Sequence, residues 1–207
     1  MKTNSTAALC IAGAIAGGCA AVASTDEDYA AKALAMMRTS FRESGQAKLD
    51  RLDQDDMQRV CSQNAGQPLS KEVAGKLESS QQALIKFPAD GKLLGDWKAG
   101  ERIAQSGVGK QFSDDPATPS GANCYACHQL TKAELSFGTI GPALYNFGKL
   151  RGFTPDMQRY AYSKVYNSQA FAACSNMPRF GHAGILTEAQ IKDVVALLMD
   201  PESPVNQ

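Results

Sequence analysis

The segment Cys124-Tyr125-Ala126-Cys127-His128 sets two thiols three residues apart and puts an imidazole directly after the second. One helical turn carries residues at this spacing to the same edge, so a single short turn presents all three side chains to one object. Three objects suit such a set. They are a zinc ion, a reversible disulfide, and a haem bonded through two vinyl groups with the imidazole on its iron. Each demands different surroundings, so the flanking sequence discriminates among them.

A structural zinc takes four protein ligands, and a catalytic one takes three with a water. Outside the motif the chain offers only His182 and isolated cysteines. Adjacent Cys127 and His128 also share one tetrahedral ion only awkwardly. A redox dithiol of the thioredoxin kind follows a strand and opens a helix in a βαβ unit. Here a loop rich in Ser, Asp, Pro and Gly (113–122) leads into the motif, and no period-two alternation runs anywhere in the chain. Downstream comes "FGTIGPALYNFGKLRGF", whose glycines and aromatics suit a backbone lying against a flat apolar ring. Covalent haem c fits every one of these features, and one motif implies one haem.

The second iron ligand must come from farther along. Met177 is the first candidate, because "CSNMPRFGH" is a non-repetitive loop before the last helix, and Pro178 fixes the turn after it. His182 ranks second and the Cys174 thiolate third. Met157 falls within a helix, and Met199 in the tail of the last helix reads as packing.

The N-terminus directs the chain out of the cytoplasm. Lys2 is followed by an uncharged, small and apolar run over 7–23 that ends Ala21-Val22-Ala23, with the polar "STDEDY" next. A membrane span needs about 20 apolar residues, and the flanks suit an export signal. Residues 1–23 therefore read as a cleaved signal peptide, and the protein as periplasmic without a membrane span. A retained anchor is the alternative. Lipidation of Cys19 fits less well, because "AGGC" lacks the usual leucine three residues before the cysteine. Of six cysteines, Cys10 and Cys19 leave with the signal and Cys124 and Cys127 serve the haem. In an oxidising compartment Cys61 and Cys174 remain as one possible pair, with two free thiols as the alternative.

The remainder is helical. "DEDYAAKALAMMRTSFRES" spaces Tyr29, Ala33, Met36 and Met37 as a helix does. "KLDRLDQDDMQRVCSQ" repeats this with Leu49, Leu52, Met57 and Val60. "LSKEVAGKLESSQQALIKF" opens at a Ser70 cap and is stopped by Pro88. This makes 24–89 a helical extension with no chemical motif of its own. Residues 90–207 form the domain that carries the chemistry. Asp96 caps a helix with Trp97, Ile103 and Ala104 inward, and "TPDMQRYAYSKVYN" is a further helix. The last opens with a Thr187/Gln190 capping box, carries Ile191, Val194, Val195 and Leu198 inward, and stops at Pro201. Lys+Arg and Asp+Glu are both 21, so no basic field points to nucleic acid.

The haem motif, "IGPALYNFG", "NMPRFG" and the ending "GILTEAQI…LLMDPESPV" together resemble the SoxX family, the monohaem cytochrome subunits of bacterial SoxAX sulfur-oxidation complexes. The likeness covers roughly 90–207. It implies an all-α, class I cytochrome c fold, His128 and Met177 as axial ligands, and a Pro142 carbonyl that orients the His128 ring. It also implies a SoxA-like partner subunit in a heterodimer, a SoxYZ-like carrier whose cysteine is joined oxidatively to thiosulfate, and a small cytochrome as electron acceptor. This chain would then be the electron-relaying subunit of an S-thiosulfotransferase, not catalytic alone. A freestanding, diffusible periplasmic electron carrier is the alternative that the haem motif fits equally well.

Overall fold

The computed structural model describes residues 26–64 and 67–207. The signal-peptide reading of 1–23, with Cys10 and Cys19, lies outside the described residues. Among the described residues there is no strand, only an isolated bridge between Ser44 and Ala47. No helix there is long and apolar enough to cross a membrane.

The chain divides into two units, 1–40 and 41–207. The described part of the first is helix α1 (Asp26–Ser40), on which Tyr29, Met36 and Met37 remain exposed. The second unit holds everything else.

The second predicted helix is broken in two. Leu49–Leu52 make one 3-10 turn, and α2 (Asp56–Gln63) starts afresh. The break comes from Asp55. Its carboxylate accepts the Gln58 N–H and the Gln58 side chain accepts the Asp55 N–H, a capping box that ends one element by starting the next. Helix α3 (Lys71–Gln82) opens at Ser70 as its sequence predicts, but stops well before Pro88. The extended passage that follows carries Phe87 into the core, where its ring stacks on Tyr162 at 5.6 Å. Burial of an aromatic outweighs the small helix propensity of the residues given up.

Helix α4 (Trp97–Gln105), capped by Asp96, packs along the last helix, α7 (Glu188–Met199), which opens with the Thr187/Gln190 capping box. Their backbones approach closely at Gly100, where a Cβ would collide with the Asp193 carbonyl. Helix α7 is buried more fully than its four predicted positions imply. Ile191 and every residue from Val194 to Met199 are inside, because α6 (Pro155–Tyr166) covers a second side of it. Met199 packs there, as expected. Ahead of α6 in the chain, and in contact with α7, is a short helix that the sequence hides, α5 (Phe147–Arg151). Asn146, at φ 58°, provides no cap; instead the Asn206 side chain accepts the Gly148 and Lys149 N–H groups from 58 and 57 residues away.

Segment 41–89 is fastened to the rest of its unit. A disulfide joins Cys61 of α2 to Cys174 across a sequence separation of 113, the pairing left open by the cysteine count. By loop-closure entropy a link of this span contributes about 4–5 kcal/mol.

Two glycines test the packing with opposite signs. Gly100→Ala is expected to destabilise the holoprotein by about 1–3 kcal/mol through overpacking. Gly75→Ala, in α3 where a Cβ meets nothing, is expected to stabilise it by about 0.5–1 kcal/mol. Urea midpoints measured side by side would show the two shifts, and a neutral Gly100→Ala would refute the close crossing of α4 and α7.

Candidate functional site

The motif turn is made by local geometry. Asn123 adopts a left-handed conformation at φ 47° and leads into a 3-10 turn over Cys124–Ala126. The Cys127 and His128 N–H groups both donate to the Cys124 carbonyl, at 3.1 and 2.9 Å. The chain then doubles back beside its own motif. Gly138 N–H donates to the Tyr125 carbonyl at 3.0 Å, and Gly141 N–H to the Cys127 carbonyl at 2.8 Å. Gly141 has to be glycine, since a Cβ there would meet the His128 ring. The next carbonyl, Pro142 O, lies 2.7 Å from His128 Nδ1. A carbonyl only accepts, so Nδ1 carries the proton and Nε2 keeps its lone pair for a metal.

These residues border one cavity of about 590 Å³. Cys124, Cys127, His128, Pro142 and Met177 all line it, with Phe147, Val165, Phe180 and Leu198 as apolar wall. The five site residues named from the sequence thus come together. Met177 arrives from the loop after α6, where the Ser168 hydroxyl donates to its carbonyl at 2.5 Å.

The alternatives do not reach the cavity. Cys174 is consumed by its disulfide, Met199 is core, and Met157 and His182 are absent from the lining. His182 stands beside Arg179 and Asp55 instead. Burial, and then the Arg179 charge, outweigh Asp55 and push its imidazole below the ordinary value.

Two functional candidates escaped the sequence reading: Arg151 and Lys164, the lysine and arginine on the cavity lining among the described residues. Lys164 Nζ donates to the Ser168 carbonyl at 3.2 Å, and burial holds its ammonium below the usual lysine value. A signal for it existed. Tyr160, Ala161, Lys164 and Val165 share one face of α6, and a lysine on such a face calls for an anionic or carbonyl partner.

The cavity fits a haem on its own chemistry. Both motif thiols are free and border an apolar space, and burial pushes Cys124 up to about 12. That is the reverse of the lowered pKa that a redox dithiol uses. Among the described residues no group of three or more His, Cys, Asp or Glu is placed to hold a bare metal ion. Residues 109–200 match the family described as Cytochrome c. A protein of Aquifex aeolicus (strain VF5) described as an uncharacterized lipoprotein is 39% identical over 159 residues, covering 74% of this chain and 73% of that protein.

The chain belongs to the cytochrome c family. Its all-α architecture, with α4 and α7 packed together and α6 alongside, is that of a class I cytochrome c. Membership brings covalently bound haem c and electron transfer as its chemistry. In this cytochrome the cavity walls are also the domain core, so losing the ring hollows the centre. Replacing both Cys124 and Cys127 with Ser is expected to yield protein without covalent haem, detected by haem staining after denaturing electrophoresis, and with a broadened or lost unfolding transition. A haem-free double variant that unfolds as cooperatively as the parent would overturn this reading.

Proposed function

We propose that this cytochrome is the electron-relaying subunit of a SoxAX-like enzyme that joins thiosulfate oxidatively to a cysteine of a carrier protein. One haem c is attached through Cys124 and Cys127, with His128 Nε2 and the Met177 thioether as axial ligands. The observation that carries the haem assignment is the convergence of these four side chains on one cavity, with His128 held in the required tautomer by Pro142. The sulfur-oxidation role is supported by "NMPRFG" and "GILTEAQI…LLMDPESPV", which follow the haem motif in the order of the SoxX family.

Joining a carrier thiol (RSH) to thiosulfate forms an S–S bond and releases one proton and two electrons, and a haem exchanges electrons singly. The chain's own residues serve that exchange by holding the ring. Apolar walls would cover the ring, and Arg151 and Lys164 on the lining could pair with its carboxylates. The Cys61–Cys174 bond leaves only the two motif thiols free among the described residues, so these residues offer no spare thiol for sulfur transfer. The sulfur chemistry falls to a SoxA-like partner.

A second reading concerns location. The notable relative carries the name lipoprotein, which favours lipidation at Cys19 over cleavage after Ala23. Both readings place the domain outside the cytoplasm, in the periplasm. Intact-mass measurement of protein from the native host separates them. A lipidated product retains Cys19 with an acyl mass increment, whereas signal cleavage leaves Ser24 as the first residue.

Purification from cells grown on thiosulfate, with haem staining of what copurifies, tests the proposal. A second cytochrome is expected. The purified pair, given carrier protein, should show thiosulfate-dependent reduction of this haem, and the chain alone should not. A chain that purifies alone and is reduced by no such mixture would be a freestanding carrier. Full turnover by this chain alone would move the catalytic role here.

A further inference from the structure

Met177 sits in a loop with no repetitive structure, yet the residues flanking it are tied down on both sides by segment 55–82. Ahead of it, Cys174 is bonded to Cys61 of α2, and Ala173 N–H donates to Glu78 Oε1 of α3 at 2.9 Å. Behind it, Arg179 pairs with Asp55 at 2.6 Å and with Gln81 Oε1 at 3.3 Å. Gln81 also accepts from Asn167 through its carbonyl and its side chain, at 3.2 and 3.0 Å. Asn167 immediately precedes Ser168, whose hydroxyl holds the Met177 carbonyl. The Arg179 side chain is only 11% exposed, so its charge depends on Asp55 rather than on water. These ties come from two helices that contribute nothing to the cavity lining.

We infer that α2 and α3 form a brace that positions the Met177 thioether, and that Asp55 and the Cys61–Cys174 bond are its positioning elements. The inference rests on Met177 being the iron ligand. A loop free to swing would leave the thioether detached part of the time, and an outside ligand would compete for the vacated position. The apparent affinity of such a ligand scales with the detached fraction. Thioether ligation favours reduced iron, so a detached thioether also lowers the potential. The brace therefore works on the reduction potential without touching the haem.

Asp55 permits a clean test, because it has two jobs. Its carboxylate caps α2 and also neutralises Arg179. Asp55→Asn keeps the cap, since asparagine serves equally well at that position, and removes both the charge and the acceptor that face Arg179. In Asp55→Asn holoprotein the expected result is imidazole binding to oxidised iron about tenfold tighter, corresponding to a tenfold larger detached fraction. A weaker near-infrared thioether–iron band and a lower reduction potential should accompany it, with covalent haem content unchanged. Asp55→Glu should return all three readings toward the parent. The double variant Cys61→Ala/Cys174→Ala should shift them further in the same direction; if it does not accumulate, the Asp55 pair decides alone. Unchanged imidazole affinity, band and potential in Asp55→Asn would overturn the brace. Met177→Ala separates the two layers, since retention of the band in that variant would overturn the ligand assignment itself.

Discussion

One cavity, bordered by the C-x-x-C-H turn and by the helical core, sets the terms for the rest of this domain. Helices α4 and α6 each pack against α7, yet beside them lies a cavity of about 590 Å³ bounded by Phe147, Val165, Phe180 and Leu198. Protein interiors close to crystal density, and voids far smaller than this one cost several kcal/mol. The lining is mainly apolar surface, with Asn123, Ser175, Asn176 and the charged Arg151 and Lys164 among its polar members. The rest of the architecture follows from supplying a large flat apolar group to that space. Two free thiols border the place such a group would take, one imidazole is held by a carbonyl, and a glycine at 141 lets the backbone pass against the ring of His128. Fold and cofactor are one thermodynamic unit here.

The segment ahead of the haem-bearing part shows a different economy. Helices α2 and α3 are short, carry mostly charged outer faces, and bury little besides Met57 and Gln81. Such helices have marginal stability in isolation. What holds them is a set of long-range polar ties and one covalent bond, most of which end on residues 167–179. Partly exposed ion pairs contribute little stability on average, so their concentration on one loop is better understood as restricting where that loop can go.

Much of this was legible in the residues. C-x-x-C-H announced its chemistry because two thiols and an adjacent imidazole match one cofactor so closely. The capping signals at Ser70, Asp96 and Thr187 lie on the observed helix starts, since an N-cap is a local interaction complete within four residues. Features fixed at long range were not readable. The end of α3 depends on where Phe87 can find Tyr162, and α5 depends on Asn206. The break before α2 was readable in principle, because Asp55 and Gln58 form the reciprocal pattern of a capping box, but the apolar spacing of Leu49, Leu52 and Met57 outvoted it. Lys164 was hidden by the habit of treating a lysine in a helix as solvent-facing.

The bond between Cys61 and Cys174 has a consequence for how the protein is made. Cys61, Cys124, Cys127 and Cys174 are the cysteines of the described residues, and a single disulfide could join any two of them. Only one such bond keeps both motif thiols available for the vinyl groups. Closing Cys124 with Cys127 would block attachment, and a cross-pairing would thread the loop wrongly. The ties from Asp55, Glu78 and Gln81 end on residues 167–179, the same stretch that carries Cys174. Once the chain is folded, burial keeps Cys124 protonated and slow to exchange. The bond that holds Cys174 thereby also removes it, with Cys61, as a competitor for the two motif thiols.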